Sequence, residues 1–198
     1  MDHRAYFNEM AGRWDDLLTN EVRMRLKGII DDLSLARGSK VLDVGTGTGV
    51  LIPFLADAVG PAGTVVAVDF AAAMLAVARK KYPWPNVQYV EADVTALPFP
   101  DETFDEVICN SAFPHFADCR QAAKEMARVL RAGGRIAVCH PHSRDYVNNL
   151  HRSIGGVVGN DLLPDDETMR AIFSAAGFRD IVIADGAGRY LLVARKNP

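Results

Sequence analysis

Cysteine is scarce in this chain and odd in number: Cys109, Cys119 and Cys139 are its whole complement in 198 residues. A disulfide framework is excluded, and a reducing compartment is expected. No apolar run approaches the roughly 20 residues needed to span a bilayer, and the opening MDHRAYFNEMAGRWDD has no apolar leader core. A soluble cytoplasmic protein without a membrane partner is the expectation. Neither charge sign dominates: 22 basic and 25 acidic side chains leave a net −3 with His neutral. The general electrostatic footprint of a nucleic-acid binder is therefore missing. Internal repeats are absent, and only the alanine-rich stretch 71–78 is compositionally biased. With hydrophobic residues at 49% and charged ones at 24%, the chain is neither disordered, collagen-like nor a coiled coil. Surface scaling for this length gives burial of about 70% of the unfolded surface, enough for one domain with a real core.

Hydrophobic periodicity orders the elements. Val22, Leu26, Ile29, Ile30 and Leu33 recur at helical spacing, with a stop near Gly38. KVLDV (40–44) is a short apolar run broken by Gly45-Thr46-Gly47-Thr48-Gly49, and LIPFLADAV then resumes a helical period with Pro53 in its first turn. TVVAVD (64–69) reads as a second strand, followed by a helix over 71–80 with Met74, Val77 and Ala78 on one face. NVQYVEAD (86–93), FDEVICN (104–110) and GRIAVCH (134–140) read as three more strands. Asp118 and Gln121 have capping-box spacing ahead of a helix that turns Met126, Val129 and Leu130 inward. From Pro141 to Pro164 the pattern is lost, and the stretch, with Gly155, Gly156 and Gly159, is expected to be a lid. A last helix from Asp165 carries Met169, Ile172, Phe173 and Ala176, with Gly177 as its cap. Residues 181–184 and 190–194 form a terminal hairpin turned at Asp185-Gly186-Ala187-Gly188.

Alternating strands and helices predict an α/β fold: a doubly wound, Rossmann-like, seven-stranded, mostly parallel sheet with an antiparallel C-terminal strand. The single domain divides into an N-terminal helical cap (1–38), a cofactor-binding core (39–140), a lid and acceptor loop (141–164), and a last helix with the hairpin (165–198). Open sheets of this kind bind ligands beyond the carboxyl ends of their strands. The first five strands end at Gly45, Asp69, Asp93, Asn110 and His140, where the strong polar candidates cluster.

A glycine loop between strand and helix lets a ligand approach the backbone, and the following helix N-terminus favours an anion. Asp69 can accept both hydroxyls of a ribose, and Phe70 can cover an adenine. Asp93 can accept from the exocyclic amine, and Asn110 can bond an ammonium or carboxylate. Singly, Gly45 and Gly47 equally suit a tight turn and Asp69 a helix cap. Together they fit a ligand with a diol, an aminopurine and a positive centre better than one with a pyrophosphate.

VLDVGTGTG, VVAVDF, EADVTALPFPDETFDEVICNSAFPHF and LRAGGRIAVCH resemble the successive motifs of class I S-adenosylmethionine-dependent methyltransferases, most closely the small-molecule type 11 branch. The resemblance covers residues 40–140. It implies that Asp43, Gly45, Thr46, Gly47 and Gly49 surround the methionine moiety of S-adenosyl-L-methionine. It further implies that Asp69 binds the ribose diol, Phe70 and Met74 flank the adenine, Asp93 and Val94 read its edge, and Asn110 lies near the methionine amino group. AYFNEMAGRWDD resembles the cofactor-capping segment of such enzymes, which places Tyr6, Phe7 and Trp14 near the site. The implied activity is methyl transfer to a small-molecule acceptor.

Two other readings stand beside it. A nicotinamide-dependent oxidoreductase also has a glycine loop and an acidic strand end. Here Val50 occupies the place of the third Gly or Ala, and no Tyr-x-x-x-Lys pair occurs. A non-catalytic regulatory protein that binds the same cofactor is the other. Nucleic-acid methylation is disfavoured, because Asn110-Ser111-Ala112-Phe113 departs from the Asn/Asp-Pro-Pro-aromatic motif.

His115, His140, His142 and His151 lie between the fourth strand end and the lid, and are candidates for the acceptor side. A histidine there suits a general base or substrate contact near neutrality. Alternatively His140, His142 and His151 hold a divalent transition metal, with Asp145 or Cys139 as a fourth ligand. An extended backbone would aim His140 and His142 the same way. His3 reads as a disordered terminus, and Arg144, Arg152 and Arg189 as candidates for an acidic acceptor. Neither the accepting atom nor the number of subunits has a signature in these residues.

Overall fold

The computed structural model describes residues 1–186 and 188–198, so the expected hairpin turn runs partly outside the described residues, at Ala187. The chain follows the order α1 (His3–Met10), a 3-10 turn at Trp14–Leu17, α2 (Asn20–Leu33), β1 (Lys40–Val44), α3 (Ile52–Val59), β2 (Thr64–Asp69) and α4 (Ala72–Lys81). It continues through β3 (Val87–Glu91), β4 (Phe104–Asn110), α5 (Cys119–Val129), β5 (Leu130–His140), α6 (Arg144–Ile154), α7 (Asp166–Ala175), β6 (Phe178–Gly186) and β7 (Arg189–Lys196). Side-chain caps start five of the helices: Asp2, Thr19, Asp118, Ser143 and Asp165 each accept from a first-turn amide. The helices that follow β1 and β2 have no such cap.

The sheet has seven strands in the order β3-β2-β1-β4-β5-β7-β6. The first five are parallel and β7 joins β5 antiparallel, as the alternation predicts. Chain order reverses between β1 and β4, which opens a crevice at their carboxyl ends. The register keeps those ends nearly level: Val44 pairs with Val68 and with Cys109, and Asn110 with Cys139.

Alternate strand residues face opposite sides, so the sheet carries two cores. Leu42, Val44, Val66, Val68 and Val107 pack with Met126 of α5 and Phe173 of α7. Val41, Val65, Ala67 and Ile108 pack with Leu26 and Ile30 of α2 and Leu55 of α3. A smaller cluster joins Phe7 and Ala11 to Ala71, Met74 and Val158, which seats α1 on the mouth of the crevice. All three cysteines are free, two of them buried in strands. Among the described residues no helix is long and apolar enough to cross a membrane.

Three local expectations are corrected. Residues 141–164 are not without pattern: α6 places Tyr146, Leu150 and Ile154 four apart beside Val147 and His151, a helical stripe masked by the polar residues between. Gln121 does not complete a capping box; its side-chain amide donates instead to the Thr95 carbonyl, while Asp118 alone caps the helix. His3 is not a loose end, because it begins α1 and its Nε2 lies 2.8 Å from Asp161 Oδ2.

Candidate active site

A cavity of about 650 Å³ lies beyond the carboxyl ends of β1, β2, β4 and β5, roofed by α1 and α6. Gly45, Thr46, Gly47, Asp69, Phe70, Met74, Asp93, Val94 and Asn110 all line it. Tyr6, Phe7 and Trp14 line it too, from the N-terminal segment. Asp43 and Gly49 do not, and their roles differ from expectation. Asp43, 1% exposed, accepts from Thr46 Oγ1 at 2.6 Å and so braces the loop from behind. Burial pushes its carboxyl up to about 7, against the opposing Thr46 hydrogen bond. Gly49, at φ +83°, is hemmed in by Ile52, Ala78 and Tyr82, with Ile52 Cδ1 only 2.8 Å from where a Cβ would sit.

The loop is held open by the end of the neighbouring strand. Gly47 N–H donates to Asp69 Oδ2 at 2.8 Å, and Ala71 N–H donates to Oδ1 at 2.9 Å. Burial raises the Asp69 carboxyl above its ordinary value, and the amides of Ala71, Gly47 and Phe70 oppose that rise. Gly47, at φ +55°, has only Trp14 Nε1 near its missing side chain, at 3.9 Å, so its backbone faces open cavity. A latch fixes the cap above it. Lys81 Nζ bonds both Asp15 Oδ2 (2.6 Å) and the Thr48 carbonyl (3.0 Å), while Thr48 Oγ1 donates to Asp15 Oδ1.

The far wing of the cavity is lined by histidine and aliphatic groups. All five histidines of the chain reach it, four from the predicted stretch and His3 from α1. His140 is 2% exposed, and its Nε2 has no hydrogen-bond partner. Burial, with the neighbouring His115, His151 and His142, depresses it to about 3, so the ring is neutral. His115, whose side chain is 12% exposed, sets its Nδ1 2.7 Å from Asp161 Oδ2, and burial lowers its pKa despite that carboxylate. His151 Nδ1 lies against the backbone carbonyl of Asp161. A carbonyl only accepts, so Nδ1 carries a hydrogen, which in the neutral ring is the tautomer with its lone pair on Nε2.

His142 takes another course. The strand ends at His140, the extended alternation ends with it, and His142 stacks on Tyr146 at 4.1 Å with Nδ1 3.2 Å from Arg25 Nη1. The expected trio His140, His142 and His151 is therefore not assembled as a metal site. Among the described residues, the His, Cys, Asp and Glu side chains bring three ligand atoms within 4.8 Å of one another at His3, His115 and Asp161 instead. Asp161 is the residue that sequence reading missed: it sits in a glycine-rich stretch with no periodic or motif signal. The candidate arginines are also committed elsewhere, Arg144 to Asp166 and Asp185, Arg189 to Asp32, and Arg152 to Asn149.

A family profile described as a methyltransferase domain, of type 11, matches residues 42–138. The demethylmenaquinone methyltransferase of Thermus thermophilus is 36% identical over 87% of this chain and 90% of its own length. The chain belongs to the class I S-adenosylmethionine-dependent methyltransferases. The ubiquinone/menaquinone biosynthesis C-methyltransferase UbiE of Idiomarina loihiensis is 33% identical to this methyltransferase, over 88% of the chain and 82% of that protein. The fold is shared with a crystal structure of a SAM-dependent methyltransferase from Aquifex aeolicus (TM-score 0.76, 23% identity, 95% of this chain and 97% of that one). It is shared as well with the methyltransferase bound to the Haloferax volcanii Trm112 activator (TM-score 0.81, 20% identity, 100% and 99%). The methyltransferase is thus an enzyme, and the oxidoreductase and regulatory readings give way. The cradle fits its cofactor: an open glycine backbone, a buried carboxylate at the second strand end and a cavity inside the roughly 300–1,000 Å³ range of ligand sites.

Proposed function

We propose that this methyltransferase methylates a ring carbon of a reduced, hydroxylated quinone of the demethylmenaquinone type. The carrying observation is the shape and chemistry of the cavity's far wing. Its inner end presents the His140 and His151 imidazoles, and its outer end is apolar, with Leu17, Tyr146, Leu150 and Ile154 all lining the cavity and between 43% and 59% exposed. A hydroxyaromatic ring fits against the histidines, and a long apolar substituent leaves along the rim. Two of the relatives above are named as a demethylmenaquinone methyltransferase and a ubiquinone/menaquinone biosynthesis C-methyltransferase, which supports this reading.

In this reading Gly45, Gly47, Asp69, Phe70, Met74, Asp93, Val94 and Asn110 hold the cofactor, with Asp43 bracing the loop. Bound S-adenosylmethionine supplies an electrophilic methyl group on sulfur. His151, with its tautomer set by the Asp161 carbonyl, takes the proton of the ring hydroxyl and so raises electron density at the adjacent ring carbon; once that carbon carries the methyl group it releases its own hydrogen as a proton to solvent, the ring regains aromaticity, and His151 returns its proton to the oxygen. His140, neutral and unpartnered at Nε2, orients the acceptor by hydrogen bonding. α1 and α6 exclude water, and most of the acceleration comes from alignment.

The test is direct. The enzyme is incubated with S-adenosylmethionine and demethylmenaquinone, once reduced and once oxidised, and the products are read by mass spectrometry. Methylated product from the reduced form alone is expected. No carbon-methylated product from either form would overturn the acceptor assignment while leaving cofactor binding to be measured separately.

A further inference from the structure

We infer that His3, His115 and Asp161 form a site for a borderline divalent transition metal, Zn²⁺ in the first instance, that clips α1 across the acceptor wing of the cavity. The three residues come from α1, from the loop after β4 and from the loop after α6. Asp161 Oδ2 lies 2.8 Å from His3 Nε2 and 2.7 Å from His115 Nδ1, both as hydrogen-bonded pairs. Two imidazoles and one carboxylate are a donor set that suits Zn²⁺, Ni²⁺ or Co²⁺ and does not suit Mg²⁺ or Ca²⁺.

A tetrahedral ion with bonds of about 2.1 Å needs its ligand atoms roughly 3.4 Å apart. The cluster therefore opens by about 0.6–0.7 Å as the ion replaces the two shared hydrogens. Each neutral ring moves its hydrogen to its other nitrogen, so the exchange needs no oxidant or reductant.

A second observation points the same way. His3 and His115 line the same cavity as His151, whose ring centroid is 4.9 Å from that of His115. A chain with five histidines has brought all of them to one cavity. The acceptor reading uses His140 and His151, and His142 packs on Tyr146 beside Arg25, which leaves His3 and His115, both on the one Asp161 carboxylate. A bound ion there would reinforce the apolar seating of α1, since the His3–Asp161 link spans 158 positions of chain. Clipping so long a loop restricts the open state most.

The experiment titrates Zn²⁺ into the full, tag-free, chelator-washed chain by calorimetry, with Mg²⁺ as control, and needs no methyl acceptor. One equivalent of Zn²⁺ and no Mg²⁺ is expected. His115→Ala and Asp161→Asn should abolish that binding, and His3→Ala should weaken it at least about tenfold. Bound Zn²⁺ should also slow proteolysis within α1. Affinity for S-adenosylhomocysteine reports whether each variant is folded. Co²⁺ added to the unsubstituted chain gives a readout independent of any variant: strong visible absorption marks a low-coordinate site. No saturable Zn²⁺ binding, or the weak spectrum of the free Co²⁺ ion, overturns the inference. So does stoichiometric binding that survives both His115→Ala and Asp161→Asn.

Discussion

The amide of Gly47 donates to Asp69 Oδ2 at 2.8 Å, tying the loop after β1 to the last residue of β2. One carboxylate thereby shapes the glycine loop and faces the cofactor wing. Replacing it removes two functions at once. Asp69→Ala should leave the Gly47 and Ala71 amides without their acceptor, at a cost of about 1–3 kcal/mol each where no water replaces it. It should also weaken S-adenosylhomocysteine binding strongly. Asp69→Asn retains one acceptor oxygen and should fall between. Calorimetric titration beside urea unfolding separates the two effects, and unchanged affinity in Asp69→Ala would sink the ribose assignment.

Gly45 packs its α-carbon against Ala112, and a Cβ there would sit 2.3 Å from Ala112 Cβ at φ +69°. Gly45→Ala should destabilise the fold by about 2–4 kcal/mol, combining the clash with the left-handed backbone cost. Adding Ala112→Gly removes the clash and leaves the backbone cost. The double variant should thus recover part of the lost stability in chemical denaturation. A double variant no more stable than Gly45→Ala would show that backbone conformation accounts for the whole effect.

His151→Ala removes the proposed base while sparing every group of the proposed cofactor wing. The expected result is a fall in kcat of about 10²–10⁴ with little change in S-adenosylhomocysteine affinity. His151→Gln, which cannot take up a proton, should be equally slow. A normal rate in either variant with a confirmed acceptor removes His151 from the chemistry.

The buried His140 sets an acid limit. Its folded pKa of about 3 lies below the unfolded value of 6.5, so the unfolded chain binds the proton first. The stability associated with the neutral ring is complete above about pH 6.5 and is lost as pH falls toward 3, at up to about 1.4 kcal/mol per pH unit. His140→Gln should flatten this slope. Urea midpoints at pH 7 and pH 5, taken with chelator present, are the measurement; an identical pH dependence in both proteins would rule out His140 as its source.

Short-range pattern by itself determined the architecture and which strand-end residues reach the crevice. Period-2 and period-3.6 apolar spacing is imposed by backbone geometry and survives in the chain as text, so β1 to β5 and their order were legible. The residues at the strand ends were legible because a parallel sheet brings those ends to one edge whatever the loops do. Asp43 and Gly49 were recognisable as part of the loop but not as its brace and packing point, since neither burial nor φ is written in a motif. Four of the histidines that reach the cavity were also named from the sequence, but how they pair was decided by tertiary structure. His3 meets Asp161 across 158 positions, a contact that depends on how α1 folds back over α4. His142, two residues from His140, lines the same cavity but packs on Tyr146 beside Arg25, because the strand has already ended. Such meetings are set by the packing of separate segments, and no periodicity within either segment records them.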